Sequence, residues 1–141
     1  MKVEVRVLEK GEVLAQGLIV PLARKSTRWA AASLGSHAKD QGVYVIHHDG
    51  RIKYVGKTDG PSMDFGMRLR REFQETASQR RHIYPKLEAL KVPPDIMVSL
   101  FPVEVIRNFI SVDGIDLTDN GLIAIFEAVL IEVYKPEFQA G

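Results

Sequence analysis

Gly42-Val43-Tyr44-Val45-Ile46-His47-His48, Asp49-Gly50, Arg51-Ile52-Lys53-Tyr54-Val55: two runs rich in β-branched and aromatic residues flank a turn dipeptide. Asp-Gly between such runs is a strong short-range hairpin signal, because both turn positions need the positive φ that these residues tolerate. The register follows from the loop length. A two-residue turn at Asp49-Gly50 pairs Tyr44 with Val55 and sends Tyr44 and Tyr54 to opposite faces. A three-residue loop, His48-Asp49-Gly50, has Gly where a G1 bulge wants it and sets Tyr44 directly opposite Tyr54. The second arrangement is the expectation, with the two tyrosines standing together on one face.

Working outward, residues 2 to 8 and 13 to 20 alternate enough to form a hairpin around Lys10-Gly11-Glu12, ended by Pro21. Ser26 or Thr27 can cap a short helix from Arg28 to Leu34, stopped by Gly35. Beyond the central hairpin, Gly56 to Asp64 reads as loop and Met63 or Asp64 through Ser78 as helix. Tyr84 to Lys91 reads as a second short helix with Pro85 in its first turn. Ile96 to Phe101 is a strand that can resume over Val103 to Ile106. A polar loop, Asp113 to Asn120, then caps a helix from Gly121 to Tyr134, closed by Pro136. The expected fold class is α+β: a small central, mostly antiparallel sheet flanked by helices, with an extra N-terminal β-hairpin and short helix. Residues 1–35 form that extension and residues 36–141 the core of the same domain.

Composition bounds the function. The chain has 141 residues, 45% of them hydrophobic and 26% charged, enough for one domain with a true core. No apolar run is long enough to span a bilayer, and the alternating start does not read as a signal peptide, so a cytoplasmic location and no membrane partner are expected. Cysteine is absent, which excludes disulfides, thiolate metal sites and a cysteine nucleophile. The net charge of +1 hides a split: residues 51–91 hold ten Lys or Arg against five acids, residues 92–141 two against eight. One face is thereby suited to a polyanion, unless both stretches are simply solvated surface.

Several residues exceed what a fold requires. Lys57 sits in the glycine turn after Tyr54, and Arg68, Arg70 and Arg71 crowd the helix that follows. Ion pairing within a solvated helix face contributes only a few tenths of a kcal/mol, about 0.2–0.5 per pair, and does not call for three arginines in four residues. Glu127 shares a helical stripe with Ile123, Leu130, Ile131 and Tyr134, so its carboxylate needs either an arginine or a metal ion.

At these residues the chain resembles the GIY-YIG nuclease family. Gly42-Val43-Tyr44 is similar to its first motif and Tyr54-Val55-Gly56 to its second, followed by Lys57-Thr58. Gly66-Met67-Arg68-Leu69 resembles the helix bearing the family's arginine, and Phe126-Glu127-Ala128 the helix bearing its metal-binding glutamate. Tyr134 to Phe138 resembles the closing segment, so the likeness spans about residues 40 to 139. It implies a catalytic set of Tyr44, Tyr54, Lys57, Arg68 and Glu127. Tyr44 would be general base or water-positioning group, Arg68 the phosphate clamp, and Glu127 the ligand of one Mg2+ (or Mn2+). Arg70, Arg71, Arg80, Arg81, His82 and Gln139 would contact nucleic acid, DNA before RNA, and a homodimer stays open.

Two positions depart from the family pattern. Gln139 stands where Asn is usual, and Glu72 where His or Tyr is frequent, with His82 and Tyr84 as substitutes from the next segment. These departures keep a second function in view, a nucleic-acid-binding module with little catalysis. A third is an interaction domain in which the tyrosines are packing and Glu127 pairs internally.

Overall fold

The computed structural model describes residues 1–15, 17–21, 31–72 and 95–139, with side chains for 1–15, 34–69 and 97–139. The fold is α+β. Strands β1 (Val3–Val5) and β6 (Ile110–Val112) form a two-stranded antiparallel sheet. Strands β2 (Gly17–Pro21), β3 (Gly42–His48), β4 (Arg51–Thr58) and β5 (Asp95–Pro102) form an antiparallel sheet in the order β2-β5-β3-β4. Helices α1 (Lys10–Ala15), α2 (Phe65–Glu72), α3 (Val103–Ile106) and α4 (Asp119–Tyr134) connect and cover them. Among the described residues no helix is long and apolar enough to cross a membrane.

The expected N-terminal hairpin does not form. Lys10–Ala15 is helical, and the strands on either side of it join different sheets, β1 to β6 and β2 to β5. The local cause is half of a capping box: Glu12 Oε1 accepts the backbone N–H of Glu9 at 3.1 Å, the reach-back of a third helical residue to the residue before the helix. Val103–Ile106 is likewise a helical turn rather than strand, opened by Pro102 at φ −60 and ψ 155. Ala31–Lys39 is 3-10 helix kinked at Gly35, whose φ of +57 no β-branched residue would adopt readily. The expected helix over Tyr84 to Lys91 lies outside the described residues, as does Trp29.

The long C-terminal helix follows its sequence closely. Thr118 caps it by accepting the Gly121 N–H at 3.1 Å, and Lys135 leaves it in the left-handed region ahead of Pro136. Its Leu122, Ile123, Phe126 and Leu130 pack on Val43, Val45, Val55 and Phe101, all at or near full burial. The opposite face of β3 carries Tyr44 and Ile46, while α2 contributes the fully buried Phe65 and Leu69 to the core.

The central hairpin departs from expectation in register but not in consequence. Asp49 (φ 52) and Gly50 (φ 71) form a two-residue turn, and His48 pairs with Arg51. His47 pairs with Ile52, but Ile46 pairs with Tyr54, so Lys53 is an extra residue and β4 is bulged there. The bulge shifts the alternation by one. Tyr44 falls opposite Gly56, and Tyr54 returns to the tyrosine's face as a diagonal neighbour.

The bulge is held by the chain's end. Phe138 N–H donates to Lys53 O at 2.7 Å, Lys53 Nζ reaches Glu137 at 2.5 Å, and that ammonium lies 5.4 Å from the Phe138 ring centroid. Gln139 then pairs its amide with the Val55 backbone, accepting from N at 3.0 Å and donating to O at 2.9 Å. At Lys53 and Val55 the outer edge of β4 is thus met by side chain and tail.

His47 gives the first expected result. It is 4% exposed. Ser99 Oγ donates its one proton to Val13 O at 2.6 Å, so His47 Nε2, at 3.0 Å from that oxygen, must be the donor. Burial pushes the imidazole down to about 4 from 6.5. Between those values the unfolded chain binds a proton that the native state refuses, so stability is whole above 6.5 and falls as pH drops through the window. Denaturant melts should lose about 2 kcal/mol between pH 7 and 5, at 1.36 per pKa unit. His47→Gln should flatten that slope; an unchanged slope would reject the assignment.

Candidate functional site

The site begins with a steric interlock between β3 and β4. The Tyr44 ring lies across Gly56: a Cβ built on Gly56 would stand 2.3 Å from both Cζ and Oη of the phenol. Only glycine admits that crossing. A second close approach fixes β3 on its other side, since a Cβ on Gly42 would stand 2.0 Å from Phe101 O. The Tyr44 and Tyr54 rings sit 6.1 Å apart, tilted by 40°. Tyr44 is fully buried, whereas Tyr54 is half-buried and meets solvent.

Helix α2 brings Arg68. Asp64 caps it, its carboxylate accepting the Met67 N–H at 2.8 Å and its carbonyl the Arg68 N–H at 3.0 Å. The approach to that helix is tied down by Gln41, whose amide donates to Gly60 O and, at 2.7 Å, to Met63 O. With the helix start fixed, Arg68 Nε donates to Tyr44 Oη at 3.3 Å. Arg68 is half-buried.

Helix α4 brings Glu127, also half-buried. Burial raises its carboxyl above the usual range, Lys57 pulls it down, Asp59 pushes it up and Arg68 pulls it down again. One carboxylate therefore feels two cations that lie on opposite sheet faces. Lys57 pairs with Val43 and shares the face of Val55 that packs on α4, while Arg68 is bonded to the tyrosine on the other. Lys57 Nζ is 3.4 Å from Asp59. Comparisons of the chain with protein-family models, with curated proteins and with solved structures returned no match.

Of the five expected catalytic residues, Tyr44 contacts both Tyr54 and Arg68, and the charge of Glu127 feels Lys57 and Arg68. The remaining expected contacts stand differently. Arg70 and Arg71 lie on α2, but their side chains, with that of Glu72, are outside the described set. Arg80, Arg81, His82 and Tyr84 are outside it altogether. Gln139 is engaged by Val55, so its longer arm has a structural use. Asp59 escaped the sequence reading; an acid two residues after Lys57 was the available signal. Among the described residues no three His, Asp or Glu side chains form a ready metal cage.

Proposed function

We propose that this protein is a metal-dependent endonuclease of the GIY-YIG type that hydrolyses phosphodiester bonds, DNA being the first substrate to test. The observation that supports the reading most is the half-buried carboxylate of Glu127, acted on by both Lys57 and Arg68, the second of which is bonded to Tyr44 of the tyrosine pair. A fold does not need to desolvate an acid at that point, and a phosphate-handling site gains from it.

Arg68 is the group suited to a phosphodiester: planar, always charged, and held in place by Tyr44. Lys57 adds a second positive charge on the other side of the edge strand. Tyr54, the phenol that meets solvent, is the one able to orient an attacking water. Tyr44 is sealed, so its hydroxyl acts through Arg68 as a positioning group. Glu127 fits magnesium or manganese as a single-carboxylate site, with Asp59 adding negative charge nearby, because magnesium commonly takes one or two carboxylates and completes its shell from water and substrate phosphate. Such an ion supplies stabilisation of charge on the phosphoryl and leaving oxygens.

A catalytically silent binding module is the second reading, and the full burial of Tyr44 is what favours it. One panel separates the two. Purified protein with magnesium is incubated with supercoiled, linear, branched and single-stranded DNA, and with RNA. The nuclease reading expects nicks or breaks that EDTA stops and magnesium or manganese restores. Salt-sensitive DNA binding with no cleavage under any divalent ion would establish the second reading and remove the first.

A further inference from the structure

We propose that β1 is the self-association edge of this protein, pairing antiparallel with β1 of a second copy across a two-fold axis at Val5. The inference is independent of the nuclease reading.

Within the β1-β6 sheet, Arg6 N–H donates to Phe109 O at 2.7 Å and Asp113 N–H to Lys2 O at 2.9 Å. In an antiparallel pair, directly opposite residues alternate between bonded and non-bonded pairs. Lys2, Glu4 and Arg6 therefore turn their backbone groups toward β6, and Val3 and Val5 turn theirs outward, Val7 following if the extended chain continues. No described strand takes that edge. The far edge of β6 is different: it is closed by a bridge from Val112 to Ile115.

The side chains favour the same edge. Val3, Val5 and Val7 are 58%, 37% and 47% exposed, an alternating apolar row on a strand with no proline. Such an edge invites strand addition unless like charges guard it. Here the charges alternate in sign: Lys2, Glu4, Arg6. In the two-fold register Val5 meets Val5, Val3 meets Val7, and each Glu4 meets Arg6 of the second copy. The bonded pairs are then the valines, and the Glu4–Arg6 pairs fall at the non-bonded positions, where side chains stand closer. Sliding by one bonded pair fails in both directions, setting Glu4 on Glu4 or Arg6 on Arg6. Self-complementarity of this kind selects a second copy of the chain as occupant. Among the described residues, Glu4 pairs within its own chain with Lys2 at 2.7 Å, both side chains being exposed. Arg6 also reaches Glu12 at 2.5 Å and would divide its guanidinium between the two acids.

The test is sedimentation velocity of the full chain over a wide concentration range. The wild type should self-associate reversibly. Glu4→Arg alone and Arg6→Glu alone should each weaken association about tenfold or more, because two opposite-charge pairs become like-charge pairs. An equimolar mixture of the two variants should regain it, since each new charge then faces its opposite. Val5→Lys, which leaves the Arg6 contacts alone, should also weaken it and decides the matter together with Glu4→Arg if Arg6→Glu does not fold. A wild type that stays monomeric, single variants that associate as the wild type does, or a mixture of folded variants that fails to regain association would each overturn the proposal.

Discussion

Glu127→Gln is expected to lower magnesium-dependent cleavage of supercoiled DNA by about 100-fold or more, the scale on which one group stabilising developing charge contributes. The substitution keeps the size of the side chain and removes its charge. Its effect on folding should be small and can be favourable, because burial already disfavours that charge in the native state. Melting temperatures should therefore match within a few degrees while activity collapses. That split matters, since a stabilising ion pair would show the reverse pattern. DNA affinity in EDTA should be equal or tighter in the variant, as a carboxylate facing phosphate repels it. Cleavage equal to wild type, with contaminating nuclease excluded by an inert purification control, would remove Glu127 from the chemistry.

Gly56→Ala should damage both the fold and the site. The added carbon has to share space with the Tyr44 ring at 2.3 Å, and that ring is fully buried. Overpacking of a dense interior costs typically about 1–3 kcal/mol, and a clash this deep belongs at or beyond the upper end. The damage reaches the site, because the displaced hydroxyl is the one that receives Arg68 Nε at 3.3 Å. Expected outcomes are a melting temperature lowered by several degrees and cleavage reduced more than Tyr44→Phe reduces it. Tyr44→Phe removes only the bond, whereas Gly56→Ala moves the ring. A folded Gly56→Ala protein with wild-type melting and activity would mean that the tyrosine does not cross the glycine.

Where sequence was informative, the signal was local. Asp49-Gly50 announced its turn, the polar loop Asp113 to Asn120 and Pro136 bounded the last helix to within two residues, and Glu127 stood out against its apolar stripe. What sequence did not reveal depended on partners far along the chain. Lys53 looks like an ordinary outward residue of β4; its bulge exists because Glu137 and Phe138, over eighty residues later, hold its ammonium and carbonyl. That one inserted residue brings Tyr54 to Tyr44's face, so the tyrosine pair was anticipated on the wrong register. Lys10–Ala15 was misread because alternation is a weak witness over six residues, while the Glu9–Glu12 cap that makes them helical lacks the usual Ser or Thr. The sealing of Tyr44 was also beyond reach, since it follows from sheet and helix closing over it together.

The proposed chemistry depends on a divalent ion arriving at Glu127, whose charge feels Lys57 and Arg68. Manganese added to isotope-labelled protein would show it by nuclear magnetic resonance, as distance-dependent loss of signal. Losses centred on Glu127 and spreading to Gly56, Lys57, Asp59 and Arg68, and abolished by Glu127→Gln, are the predicted outcome. Losses centred elsewhere, or unchanged by that substitution, would contradict the site.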